Sequence, residues 1–145
     1  MESRRDDGYW VSDNPDHLDA DRIHGWLSEE SYWAQGRSLE LVKRSIRESI
    51  VIGCYAPDGA QVGLCRWVTD LATFAWLCDV FVDTGHRGGG LGVYLVQSAM
   101  DHPAVQGIRL LLLGTRDAHG LYQRFGFGPA SENLMERRSG TNPPG

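Results

Sequence analysis

The residues with the clearest chemical potential lie in one stretch, Asp83-Thr84-Gly85-His86-Arg87-Gly88-Gly89-Gly90-Leu91-Gly92. Five of the chain's 18 glycines fall between Gly85 and Gly92. The apolar run Phe74 to Val82 precedes the stretch, and a helical pattern follows it, with Leu91, Tyr94, Leu95, Ser98 and Ala99 on one face. A strand that passes through a glycine-rich loop into a helix is suited to hold phosphate. The helix N-terminus leaves backbone N–H groups unpaired and carries about half a positive charge. Glycine lets those groups approach an anion closely and adopts positive φ without penalty. Arg87 adds a cation at the mouth. Two common phosphate loops are excluded: no Lys follows the glycines, and the spacing is not that of a dinucleotide fingerprint with its acidic residue about 20 positions on.

The elements that must position this loop are legible along the chain. Trp10 belongs to a short strand, Tyr9 to Ser12, broken by Asp13-Asn14-Pro15-Asp16. Ile23, Trp26 and Leu27 predict a helix from about Leu18 to Ser28, and Ser38 caps a second helix carrying Leu39, Val42 and Ile46 on one face. Ile50 to Tyr55 and Gln61 to Thr69 read as a hairpin across Ala56-Pro57-Asp58-Gly59. Phe74 to Val82 is apolar on both faces and reads as a central strand. The loop, its helix ending at His102-Pro103, a strand at Ile108 to Leu113, a short helix at Ala118 to Phe125 and a last strand around Asn133 to Arg137 complete the order. A meander followed by a βαβ crossover predicts an α/β fold of the α+β type, with a mixed, mostly antiparallel sheet of 6–7 strands and about four helices. The expected organisation is a loose N-terminus over residues 1–8, one domain over 9–138 and a flexible tail over 139–145.

Composition bounds the function. The chain has 145 residues, 41% hydrophobic and 23% charged, the balance of one globular domain. Its net charge of -5 argues against a general nucleic-acid binder, which needs a basic face. No apolar run approaches the roughly 20 residues of a membrane span, and the charged N-terminus predicts no secretory leader. Cys54, Cys65 and Cys78 show no metal or redox spacing and read as reduced, buried thiols of a cytoplasmic protein; no metal is expected.

The loop matches Arg-x-x-Gly-x-Gly, as Arg87-Gly88-Gly89-Gly90-Leu91-Gly92. Downstream, Leu121-Tyr122-Gln123-Arg124-Phe125-Gly126-Phe127 matches Leu-Tyr-x-x-x-Gly-Phe, with Ala118 three residues before Leu121. In these two motifs, and in Leu77 to Asp83 as central strand, the chain resembles the GNAT superfamily of acyl-CoA-dependent N-acetyltransferases. The resemblance covers nearly the whole chain. It implies acetyl-CoA as acyl donor, with Val80, Phe81, Val82, Arg87, Gly88, Gly89, Gly90, Leu91 and Gly92 along the coenzyme. One position departs from the family, whose Asn facing the pantetheine arm is here Thr115. A hydroxyl replaces one hydrogen bond of an amide but not all of them.

The implied reaction is direct attack of a primary amine, on a small molecule or peptide, on the thioester. The backbone N–H near Val80 then polarises the carbonyl, and Tyr122 protonates the departing thiolate or only packs against it. An alkylammonium has a pKa near 10.4 and must lose a proton before it attacks. Asp79, alone on an apolar strand, is the candidate base, with a raised pKa if buried. The alternative reading makes it a structural acceptor for nearby N–H groups or an Arg. His119 and Asp117 stand just before Tyr122, and His119 is a second possible proton relay or a surface residue. The acceptor pocket is expected between the first two helices, walled by Tyr32 and Trp33, with Glu29 or Glu30 drawing in the ammonium. The resemblance also allows a homodimer. A non-catalytic acyl-CoA-binding domain of the same fold is the alternative function.

Overall fold

The computed structural model describes residues 1–139. Six strands form one sheet in chain order: β1 (Glu2–Arg4), β2 (Trp10–Ser12), β3 (Ile50–Tyr55), β4 (Gln61–Thr69), β5 (Phe74–Val82) and β6 (Leu110–Leu113). The first five are antiparallel neighbours; β5 and β6 are parallel. Four helices accompany them: α1 (Ala20–Gly25), α2 (Leu39–Arg47), α3 (Leu91–Asp101) and α4 (His119–Gln123). The mixed, mostly antiparallel sheet with four helices is the expected fold class.

Three readings of the chain are corrected. Residues 1–8 are not loose: Glu2, Ser3 and Arg4 pair with Ser12, Val11 and Trp10 as an edge strand. The strand expected around Asn133 to Arg137 does not form, so the sixth strand comes from the N-terminal end. The single helix expected from Leu18 to Ser28 is α1 followed by a wide π-helical turn, Trp26–Glu30. Asp19 caps α1 by accepting from Arg22 N at 3.0 Å. Around the wide turn, the Ser28 hydroxyl donates to the His24 carbonyl and the Ser31 hydroxyl to the Leu27 carbonyl. The tail expected at 139–145 lies, apart from Ser139, outside the described residues.

Alternation along the strands fills both faces of the sheet. One core gathers Ile52, Cys65, Trp67 and Leu77 under Leu91, Leu95 and Ala99 of α3. The other gathers Val51, Leu64 and Phe81 under Ile23, Trp26, Leu27 and Val42 of the first two helices. Gly63 makes the close approach of β4 to β5 possible: a Cβ there would stand 2.7 Å from the Phe81 carbonyl oxygen. Gly63→Ala is therefore expected to cost about 1–3 kcal/mol, as overpacking against backbone does. Urea unfolding checks this, and a change under about 0.5 kcal/mol, the scale of ordinary surface substitutions, would contradict it.

Candidate active site

The site grows from an irregularity in β5. Leu64 pairs with Phe81 but Arg66 with Cys78, so one extra β5 residue stands between those pairs. Asp79 takes up the bulge with φ +53°, in the left-handed region. The bulge reverses the alternation: Ala75 and Leu77 face the α3 side, whereas Phe81 faces α1 and α2.

A non-glycine residue in this conformation needs support, and Asp79 has three donors. Trp33 Nε1 donates to Oδ1 at 2.9 Å, and Arg37 Nη1 and Arg66 Nε donate to Oδ2 at 3.0 and 2.7 Å. Both arginines and the carboxylate are buried. Burial alone would raise the Asp79 pKa, but the Arg66 and Arg37 charges, with the hydrogen bonds from Arg66 and Trp33, outweigh it and hold the carboxyl below its usual range. This corrects the expectation of a raised pKa. A low-pKa carboxylate already engaged by three donors is a poor proton acceptor, so the base role is not carried forward. Asp79 ties the chain after the wide turn and strand β4 to the bulge.

The bulge opens the edge of β5. Asp83 N donates to the Val62 carbonyl at 2.7 Å, toward β4. Alternation then turns the N–H of Val82 and Val80 toward the opposite edge, where β6 lies. β6 pairs with β5 only from Phe74 to Leu77, so beyond Leu77 that edge is unpaired by strand. Phe81 differs from the expectation. Its N–H faces β4, and its ring stacks on Trp26 at 5.7 Å between centroids, so its part is packing.

A cavity of about 500 Å³ fills the gap, lined by Val80, Leu77 and Cys78 of β5, Tyr122 of α4, Tyr32, Trp33 and Trp76, with Asp117, Glu136 and Arg138 at its polar positions. Tyr122, Val80, Tyr32 and Trp33 thus line one cavity. Tyr122 is held against Phe127 by an edge-on ring contact at 6.2 Å, and burial pushes its phenol up to about 12. The Tyr32 hydroxyl accepts from Arg116 N at 2.7 Å, and the Arg116 guanidinium lies 3.9 Å from its ring centroid.

Other candidates are placed elsewhere. Glu29 and Glu30 are exposed and do not line the cavity; Glu30 lies 3.4 Å from the Thr84 hydroxyl. Thr115 Oγ1 accepts from Ala118 N at 3.1 Å, so the hydroxyl shapes the turn into α4, and the residue lines a neighbouring hollow with His119. Sequence reasoning missed Arg37, Arg66, Trp76, Glu136 and Arg138. The lone Asp79 opposite Arg66 in apolar strands was the available signal for the first two.

The glycine loop follows the C-terminal end of β5, beyond the bulge. Gly88 and Gly90 have φ +90° and +80°, and Gly90 opens α3 with no side-chain cap on its first turn. The first N–H groups of α3 are thereby left without a side-chain acceptor. Arg87 folds back: Nε donates to the Val82 carbonyl at 2.8 Å, and its guanidinium lies 5.1 Å from the Phe81 ring centroid. Among the described residues, no group of three or more His, Cys, Asp or Glu is placed to hold a metal, and no helix is long and apolar enough to cross a membrane.

Known proteins are similar to this chain in sequence and fold. The family model for the acetyltransferase (GNAT) domain matches residues 48–129. A protein of Gibberella zeae named as an acetyltransferase is 31% identical over 135 residues, covering 79% of this chain and 75% of its own length. A crystal structure from Xanthomonas campestris pv. campestris, of a protein assigned as a GNAT-family acetyltransferase, is 44% identical with a TM-score of 0.87, covering 90% of this chain and 93% of that one. The glucosamine-6-phosphate N-acetyltransferase of Arabidopsis thaliana superposes with a TM-score of 0.63 over 90% of this chain and 99% of its own; at 17% identity the likeness is of fold alone.

Proposed function

The chain belongs to the GNAT family and is an acyltransferase, and from this we propose that it moves an acetyl group from acetyl-CoA to a primary amine by direct attack in a ternary complex. The observation that carries the reading is the single cavity shared by the Tyr122 phenol and the bulged edge at Val80. Acetyl-CoA supplies the activated carbonyl; the chain's residues do the rest. The open first turn of α3, with Gly88 and Gly90, holds the pyrophosphate through backbone N–H groups. β6 pairs with β5 only as far as Leu77, so the Val80 N–H donates to the carbonyl oxygen and stabilises the charge developing on it.

Tyr122 delivers a proton to the departing sulfur. A phenol near 12 is a weak acid beside a free thiol, whose ordinary pKa is about 8.5. Desolvation in the cavity disfavours a free thiolate as well, so the proton is transferred as the carbon–sulfur bond breaks.

The amine enters between Tyr32, Trp33 and Trp76, beside the Glu136–Arg138 and Asp117–Arg116 ion pairs. With Asp79 committed to its donors, water takes the amine's proton, so kcat/KM is expected to climb with pH toward the amine's own pKa, near 10.4. A thiol-release assay over a broad panel of primary amines, with calorimetry on acetyl-CoA, tests the proposal. Amine-dependent release is the expected result. No coenzyme binding together with a silent panel would overturn it.

A further inference from the structure

The N-terminal hairpin brings a second arginine to the glycine loop. The turn joining β1 to β2 is closed by Arg5 N donating to the Tyr9 carbonyl at 2.7 Å. Within it the Arg5 side chain is fixed from three directions. Its Nε donates to Asp7 at 3.1 Å, and Nη2 bonds the other oxygen of the same carboxylate. Its guanidinium carbon lies 5.6 Å from the Tyr9 ring centroid and 5.5 Å from that of Tyr94 on α3. One ring is tied to the loop stretch and the other to β1. The Tyr9 hydroxyl is 2.9 Å from His86 Nδ1, and the Tyr94 hydroxyl is 3.1 Å from the Ser3 hydroxyl.

The remaining nitrogen, Nη1, has no hydrogen bond among the described residues. It stands 3.8 Å from the point where a Cβ would sit on Gly90, the residue that opens α3. An arginine side chain carries about 2 kcal/mol of rotamer entropy. Here the fork is already ordered before any ligand arrives, so a new hydrogen bond from Nη1 costs little further freedom. Arg87, the loop's own arginine, has its Nε engaged on Val82.

We infer that Arg5 is a phosphate-binding residue of the coenzyme site, donating Nη1 to a phosphate oxygen held at the start of α3. The inference rests on the reading of acetyl-CoA as donor. The phosphate is either the pyrophosphate or the 3′-phosphate of the coenzyme.

Calorimetry of the full chain with coenzyme A and with dephospho-coenzyme A, at low and high salt, tests it. Arg5→Gln is expected to weaken coenzyme A binding about 10-fold at low salt, as loss of a charge-assisted hydrogen bond does. The gap should close as salt rises. Arg5→Lys should recover part of the affinity. Arg4→Gln removes the same charge, but Arg4 stands over Trp10, 5.5 Å from its ring centroid, and should leave affinity unchanged. A penalty that persists with dephospho-coenzyme A assigns the contact to the pyrophosphate; one that disappears assigns it to the 3′-phosphate, and either supports the inference. Equal affinity in wild type and Arg5→Gln overturns it, as does a gap that salt does not change, which would signal packing alone. A wild-type chain that binds no coenzyme A fails at the earlier step and sinks the donor reading itself.

Discussion

Asp79→Ala should destabilise the protein by about 3–5 kcal/mol, because it leaves two buried guanidinium groups facing an empty position. Arg37 and Arg66 are both buried, and both donate to the same carboxylate oxygen. Domains of this size are stable by about 5–15 kcal/mol, so the loss is a large share and should lower the melting temperature by roughly 10 °C or more. Alanine also tolerates the left-handed conformation at φ +53° less well than Asp or Asn, by about 1 kcal/mol. Asp79→Asn keeps that tolerance and removes the charge, so it isolates the electrostatic part. Urea unfolding of the three proteins at neutral pH is the measurement, and variants within about 0.5 kcal/mol of wild type would contradict the argument.

The pH dependence carries its own sign. The Asp79 pKa is lower folded than unfolded, because the nearby arginine charges outweigh burial. Its contribution is thus fully present above the unfolded value of about 3.9 and is lost as pH falls below it through the folded value. The stability gap between wild type and Asp79→Asn should be constant from pH 5 to 8 and narrow in more acid solution. Catalysis should suffer too, since Asp79 fixes the bulge next to Val80, which lines the cavity.

How far the sequence reaches is clearest along β5 and at the two termini. The bounds Ile50 to Tyr55, Gln61 to Thr69 and Phe74 to Val82 agree with β3, β4 and β5, because long β-branched and aromatic runs between turn residues carry their own limits. β1 carries no such mark. Glu2, Ser3 and Arg4 are all exposed, and an edge strand with neither face buried shows no alternation. The opposite error, a strand at Asn133 to Arg137, came from isolated apolar residues such as Leu134 and Met135, which stay exposed. At the site, the loop and Tyr122 were legible because each is a local motif. The state of Asp79 was not, because two of its three partners lie 42 and 46 residues away and arrive only when the chain after α1 folds onto β5. Asp79 is buried, but the sign of its pKa shift depends on partners that no local pattern reveals.

Tyr122→Phe should lower kcat by about 10²–10⁴-fold, the usual worth of a general acid, while coenzyme affinity stays near that of wild type. The substitution removes one hydroxyl and keeps the ring, so the edge-on contact with Phe127 and the packing under α3 persist. A role in packing alone would leave the rate unchanged, and that result would remove Tyr122 from the acid position. The phenol is pushed up to about 12, so wild type stays protonated across the working range and shows no falling limb below about pH 10. Both proteins should share the rising limb set by the amine, and the variant's curve should lie lower by a constant factor. The leaving group supplies the sharper test. A thioester whose thiol has a lower pKa departs without a proton, so the deficit of Tyr122→Phe should shrink as that pKa falls. If the deficit is the same for every thioester, the hydroxyl acts on binding or orientation rather than on the proton, because only proton donation makes the value of Tyr122 depend on the basicity of the departing sulfur.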